Sequence, residues 1–576
     1  MILLPNNCGT ETFSRNAVSR RIRFVLVILS VLAAFLFVLW KAFFSLDIAF
    51  VRNDSKASWI MREVYPSILM GQSGACLFSK SFNLEEPAKT ILHAKAMRGF
   101  TVSVNGDQVF EKTPAENWKT ETRIDISKYL KKGMNTLSFR VSPMGPALLY
   151  AYLDGPPERV ATDGSWEVAA AGGFSRAVPV NDIRNPSPYR VDIESPVELF
   201  KKSRNILGKF FLVFTGFFLM GRLFRRGEKY LVPVVLGGSC ILWALFFLKI
   251  IKMPLEVGYD VRGHLEYIFL ILKNHILPFA DQGRAGVPQT YHPPAFYWLS
   301  ARLLELFQSW RGTGESVLLR IVPFLSGFGN VWIAYFLARE LFKSSTGKVF
   351  AAAALAAVLP MNFYISAYVS NEGFNGFLSG LSVLIAIMMF GREKTRWGWI
   401  PLLGTVLGLA LLTKFTAFVL IPVIFFFLAV KLLVFEKAGL AKSFGLLGGL
   451  CLVAGLVCGW YYARNIAHFG HPLVGNAEVI SSWLFPGFHT PRYYLQFGEV
   501  FRNPYFSAYY SFWDGLYSTF WGDGFFGGMS DLRYWNYHFM SIGYLVALPA
   551  TAFLILGFFD LIRRALRKGP ELLGFQ

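Results

Sequence analysis

The sequence predicts a polytopic α-helical membrane protein of about ten crossings, with an extracytoplasmic all-β sandwich following the first crossing. Three observations lead there. Of 576 residues, 54% are hydrophobic, only 16% are charged, and the mean hydropathy is positive, which excludes an ordinary soluble protein. Apolar runs recur along the chain at the length of roughly 20 residues that a spanning helix needs. The stretch 46–200 differs, because it alternates apolar and polar residues at period two between Gly and Asn turns.

The chain reads in five parts. Residues 1–45 are a basic cytoplasmic N-terminus and a first crossing; 46–200 form the sandwich. Residues 201–463 are a membrane core, 464–538 an aromatic-rich outer loop, and 539–576 a last crossing with a basic tail. The candidate crossings are 24–44, 206–224, 231–251, 318–338, 349–368, 373–390, 398–413, 415–433, 444–463 and 540–562. The first run is longer than a signal-peptide core and no small-x-small site follows it, so it reads as a retained helix. The segment 293–309 is apolar but short and carries Arg302 and Glu305, so it reads as an interfacial helix.

Lys and Arg support that exclusion. Arg15, Arg20, Arg21 and Arg23, then the phrases GRLFRRGEK, ARELFKSSTGK, GREKTRW, KLLVFEKAGLAK and RRALRK, fall on one side only if 293–309 does not cross. By the positive-inside rule that side is cytoplasmic. The net charge of +20 is thereby accounted for by loops between apolar runs, and nucleic acid is not an expected partner. The five cysteines are scattered, with neither a disulfide framework nor zinc spacing.

Within 46–200, TILHAKA, GFTVSVNGDQVFE, NTLSFRVSP and ALLYAYLD alternate, punctuated by Asn105-Gly106, Lys132-Gly133 and Asp163-Gly164. In that order, with VATDGSWEV, they resemble the galactose-binding-like jelly roll appended to many glycoside hydrolases. The resemblance implies sugar binding, with Trp118 or Trp166 as a stacking platform; core or edge packing is the favoured role for both, since such domains are often structural.

Four unusual segments fall on the outer face. The first, GYDVRGHLEYI with QTYHPPAFYWL, holds Asp260, Arg262, His264, Tyr291 and His292. The second, YVSNEGF, holds Glu372, and the third, LLTKFTA, holds Lys414. The fourth is the loop from Arg464, which contains Arg492, Trp513, Asp514 and Asp523. Asp260 is positioned to cap a helix from Val261 that lies along the membrane surface, with His264 one turn on. Ionisable residues at a membrane boundary need partners or a wet cavity. Two acids among cations suit one task, removal of a sugar from a lipid-linked phosphate. Asp260 and Glu372 would handle the proton, and Arg262, His264, His292 and Lys414 the phosphate charge. A divalent metal on Asp260, Glu372 and His264 remains open, although no compact ligand spacing marks it.

The ordered phrases YDVRGHLEYI, YHPPAFYWL, AAALAAVLPMNFYISAYVSNEGFNGFL, LGLALLTKFTAFVLIPV and WYYARNIAHFGHPL make residues 205–562 resemble the GT-C glycosyltransferases. Within these the likeness is to protein O-mannosyltransferases and the lipid A aminoarabinose transferase. The resemblance implies a polyprenyl- or dolichyl-phosphate sugar donor, inversion at the anomeric carbon, and catalytic acids at Asp260 and Glu372. It departs in three places: Val261 stands where many relatives have a second acid, His292 where some have lysine, and Glu372 where many have aspartate. Tyr291, Arg464, Arg492, Trp513 and Asp514 are the expected acceptor or sugar contacts. The expected acceptor is a glycan, lipid or protein, and the expected setting is a bacterial inner membrane with the site facing the periplasm. A non-enzymatic carbohydrate receptor or glycan exporter, using the sandwich as receptor, is the alternative; no internal repeat of the kind exporters show is visible.

Overall fold

The computed structural model describes residues 32–568 apart from 63–74, 142–146, 181–193, 224–227, 281–288, 310–313, 476–489, 525–536 and shorter gaps. The N-terminal arginines and residues 24–31 of the first expected crossing lie outside the described residues, as does much of the aromatic outer loop. The chain divides into two compact units: 1–191 with 482–496 and 546–576, and 192–481 with 497–545.

The first unit contains the sandwich. Its strands are β1 (Ile60–Arg62), β2 (Cys76–Leu84), β3 (Ile91–Ala96), β4 (Phe100–Val104), β5 (Asp107–Lys112), β6 (Thr122–Asp125), β7 (Gly133–Val141), β8 (Leu148–Asp154), β9 (Glu167–Ala170) and β10 (Gly173–Pro179). They pair antiparallel in the order β5-β4-β7-β2-β9-β10-β1-β8-β3-β6. Alternation sets the core: Phe78, Phe82 and Leu84 from one layer meet Leu92, Ala94, Leu149, Ala151 and Leu153 from the other. Asn105 and Gly106 have φ of 53° and 98°, the left-handed pair that a two-residue hairpin turn requires.

Trp118 and Trp166 are not platforms. They are 2% and 0% exposed, so neither offers a ring face to a sugar. The Trp166 indole donates to the Ala161 carbonyl at 2.8 Å. The Trp118 indole donates to the Leu46 carbonyl at 3.0 Å, and the Lys119 amine to the Ala42 carbonyl at 2.6 Å. Together the last two satisfy carbonyls at and just past the C-terminal end of the apolar helix Phe35–Phe44.

The second unit is helical. It comprises α1 (Pro196–Leu223), α2 (Glu228–Ile250), α3 (Val261–Asn274), α4 (Ala295–Leu306), α5 (Glu315–Leu341), α6 (Thr346–Val358) and α7 (Pro360–Ala367). It continues with α8 (Glu372–Phe390), α9 (Trp399–Leu411), α10 (Leu420–Val430), α11 (Leu440–Phe469), α12 (Phe512–Trp521) and α13 (Tyr537–Val546). The last helix, Leu548–Lys568, falls in the first unit. Among the described residues five helices are long and apolar enough to cross a membrane, or seven if each of two bent pairs counts once. The protein is therefore a multi-pass membrane protein. The expected crossing 349–368 is one of these pairs, α6 and α7, bent by 41° at Leu359-Pro360. The 398–413 run gives only the 13-residue α9, followed by a short 3-10 turn. At 12 residues, α4 reaches about 18 Å, too short to cross.

Two packing features shape this unit. Gly404 and Gly408 of α9 sit so close to Val453 and Val457 of α11 that a Cβ would come within 2.7 Å of each, the small-residue contact common between membrane helices. At one end of α8–α11, Glu436 Oε1 accepts from the Thr395 amide at 2.8 Å and from Lys431 at 3.0 Å. That contact joins two of the basic loops assigned to the cytoplasmic side.

Candidate active site

The opposite end of the same helices gathers the ionisable residues of three loops expected on the outer face. The first loop ends at Asp260, which starts α3 with its backbone: its carbonyl accepts from the Gly263 and His264 amides at 3.0 and 3.3 Å. The expected side-chain cap is not formed. Asp260 has φ 56°, in the left-handed region, and its carboxylate instead accepts a hydrogen bond from Gln289. A non-glycine residue there carries strain of about 1 kcal/mol or more, of the kind functional sites hold. Two residues earlier, Gly258 has φ 132°, and a Cβ on it would stand 2.6 Å from the Tyr368 ring. Glycine therefore lets the Asp260 loop press against the loop carrying Glu372.

Glu372 opens α8, and its carboxylate is ion-paired with the Lys414 amine. Lys414 is held in extended backbone between α9 and a 3-10 turn, Phe415–Val419. The Asn371 amide donates to the Thr413 carbonyl at 3.2 Å, and the Ala295 amide to the Leu412 carbonyl at 2.9 Å. These two bonds lock the second loop and the start of α4 to the Lys414 loop.

Asp260 stands at the surface, yet partial desolvation by the surrounding chain pushes its carboxyl above the usual carboxylate range. The Glu372 charge adds to that rise, while Lys414 and the Gln289 bond oppose it. The histidines behave differently from the expected cations. His264 is buried, its Nδ1 lies 2.7 Å from the Tyr297 hydroxyl, and burial with the nearby Lys414 pushes it down to about 3. His292 is buried 5.9 Å from His264, ring to ring, and burial, His264 and Lys414 push it well down too. Both are neutral at pH 7, which leaves Lys414 and the exposed Arg262 as the charges among the four residues expected to meet phosphate.

Behind the histidines lies an aromatic wall. Tyr267 stacks on Tyr297 at 4.1 Å, and the Tyr267 hydroxyl donates to the His292 carbonyl at 3.3 Å. The Tyr461 hydroxyl reaches the Tyr291 carbonyl at 3.2 Å, and the Tyr291 ring lies 4.1 Å from His292. Gln289 Oε1, His292 Nδ1 and Asn371 Oδ1 are buried without a hydrogen-bond partner among the described residues.

The remaining expected contacts do not converge on this cluster. Arg464 packs its guanidinium 3.7 Å from the Phe279 ring centroid and donates to the Leu277 carbonyl at 2.7 Å. Asp514 is fully buried and accepts from the Ser511 hydroxyl at 2.6 Å and the Gly498 and Val500 amides at 3.0 and 2.9 Å. Its neighbour Trp513 is exposed on α12. Arg492 belongs to the first unit, where it donates to Gln496 at 2.7 Å. Asp523 is buried with the Tyr368 hydroxyl 3.5 Å away. Among the described residues no three His, Cys, Asp or Glu side chains gather as a metal site. Gln289, Tyr297 and Asn371 were not anticipated; a buried amide or phenol leaves no mark in a single sequence.

The site is a cluster of two acids and a lysine at the mouths of several helices. Residues 291–462 match the family of dolichyl-phosphate-mannose-protein mannosyltransferases, PMT_2, so the expected GT-C resemblance holds over that stretch. The match includes Glu372, Lys414 and His292 but begins after Asp260. Archaeal oligosaccharyltransferase AglB from Archaeoglobus fulgidus, solved with an inhibitory peptide and a dolichol-phosphate, is similar over 58% of this chain and 38% of its own, at 17% identity and TM-score 0.33. A Streptomyces avermitilis α-L-rhamnosidase complexed with L-rhamnose is similar over 21% of this chain and 14% of its own, at 22% identity and TM-score 0.19. The apo lectin of Pleurotus ostreatus covers 22% of this chain, with 41% of its own length matched, at 20% identity and TM-score 0.17. The chain thus spans well under half the length of these solved proteins. No curated protein matches it.

Proposed function

We propose that the protein is an integral-membrane glycosyltransferase. It moves a sugar from a polyprenyl-phosphate-linked donor to an acceptor at the extracytoplasmic face, in a bacterial inner membrane, with inversion. The observation that carries this reading is the meeting of Asp260, Glu372 and Lys414 from three separate loops at one end of the helices.

In the reaction, Asp260 takes the proton of the acceptor hydroxyl as its oxygen bonds to the anomeric carbon, while the bond from that carbon to the phosphate oxygen breaks. The lipid phosphate leaves with the bonding electrons, and Lys414 and Arg262 stabilise the negative charge that develops on it. One displacement of this kind inverts the centre. The raised pKa of Asp260 makes it a stronger base than an ordinary carboxylate. Glu372 orients the Lys414 amine. His264 and His292, neutral, shape the wall behind the sugar rather than meet the phosphate. The donor's lipid tail explains why such a site sits at a bilayer surface. The rival reading, a receptor or exporter, loses its anticipated aromatic platform because Trp118 and Trp166 are core.

The test is native mass spectrometry of the full chain in mild detergent with added polyprenyl phosphate and its sugar ester, followed by transfer assays. The expected outcome is a bound sugar ester, weakened in K414M and R262M, and transfer reduced by about 10³-fold or more in D260N with the ester still bound. A fully active D260N variant, or no ester bound by the wild type, sinks the proposal.

A further inference from the structure

We propose that Arg320 is a positioning residue that sets the spacing between the two acid-bearing loops; its catalytic consequence rests on the transferase reading above. Arg320 lies in the second turn of α5 and is 0% exposed. A guanidinium inside an apolar bundle is costly unless it is hydrogen-bonded. Here Nε donates to the Ala367 carbonyl at 3.0 Å and Nη2 to the Pro254 carbonyl at 2.7 Å. Nη1 donates to the Ser316 hydroxyl, which itself donates to the Ile251 carbonyl at 2.9 Å. Ile251 and Pro254 begin the loop that ends at Asp260, and Ala367 closes the helix before the loop that ends at Glu372. One side chain therefore ties both loops to α5.

The arrangement needs a fork. Three nitrogens in one plane reach two carbonyls and a hydroxyl on different elements, whereas a lysine amine at one point cannot bridge them. The α5–α7 contact is already fixed independently, since Asn362 donates to the Gly327 carbonyl at 2.8 Å and a Cβ on Gly327 would overlap Ser366. Loss of Arg320 is therefore expected to loosen the two loops without separating the helices.

Full-length wild type, R320K and R320A in lipid nanodiscs test this by amide hydrogen exchange and by transfer from a polyprenyl-phosphate sugar. The expected result for R320K is exchange faster by about tenfold, confined to 251–262 and 367–373. kcat falls about 100-fold while KM for the donor stays within about threefold, because misplacement affects the reacting geometry more than binding. Millimolar guanidinium, not ammonium, restores R320A transfer. Unchanged exchange in both loops overturns the proposal, as does uniform loosening of all helices with activity lost in proportion. Failed guanidinium rescue of a folded R320A overturns it as well. If the loops loosen as expected but the wild type transfers no sugar, the transferase reading falls and takes the catalytic consequence with it, while the clasp itself stands.

Discussion

At the scale of single residues, Asp260 shows how charge and backbone act together. Its carboxyl is raised by partial desolvation and by Glu372, and lowered by Lys414. Transfer should therefore rise with pH through a pKa above the ordinary value of 3.8. K414M should move that limb to higher pH and E372Q to lower pH, both read from kcat/KM profiles; limbs that stay in place would separate Asp260 from the rate. The sign for stability is opposite to that of a salt-bridged carboxylate. The raised pKa gives a contribution that is full below pH 3.8 and lost as pH rises through the folded-state value. Gly258 supplies a second prediction. G258A places a methyl 2.6 Å from the Tyr368 ring at a positive φ, and should cost about 1–3 kcal/mol in unfolding free energy with transfer reduced. A neutral G258A would mean the loops are not in contact.

At the scale of elements, the sequence was legible where pattern and turn chemistry agree. The Asn105-Gly106 hairpin follows from alternation and left-handed turn residues, and α4 as a non-crossing helix follows from its length and charges. The failures have physical reasons. Asp260 ahead of Val261 looks like a cap, but a partner distant in sequence, Gln289, takes the carboxylate. Trp118, by contrast, packs as the favoured reading expected, its indole taken by a backbone carbonyl at the end of another element. The crossing 349–368 reads as unbroken in the sequence, and neither the bend at Pro360 nor the polar contacts that hold it were anticipated. Asn362 bonds to Gly327 and to Asn330, at 2.8 and 3.3 Å. N362L should lower bundle stability by about 0.5–1.5 kcal/mol in a detergent unfolding titration; an unchanged midpoint would show the contact to be incidental.

At the scale of the whole molecule, loop sidedness was the most informative reading of the sequence. Lys and Arg counts placed GREKTRW and KLLVFEKAGLAK together on one side, and the Thr395–Glu436–Lys431 contact joins them. Three of the four segments assigned to the other side meet at Asp260, Glu372 and Lys414. Membership of the site was therefore half visible: the loops could be listed, but the histidines' neutrality depends on burial that no local pattern encodes. Single cysteines at Arg262 and Lys394 in a cysteine-free background should react with an impermeant maleimide from opposite sides of the membrane. Labelling of both from one side would overturn the topology.

The left-handed backbone at Asp260 also restricts how this position can vary over evolutionary time. Glycine enters that conformation without strain, asparagine and aspartate do so at less cost than most other side chains, and of these three only aspartate brings a negative charge. A lineage that keeps this loop and loses the charge is expected to drift to asparagine or glycine, with glutamate absent although it shares the carboxylate. Divergent copies of the gene carrying Asn or Gly here would then mark lost activity with the fold retained.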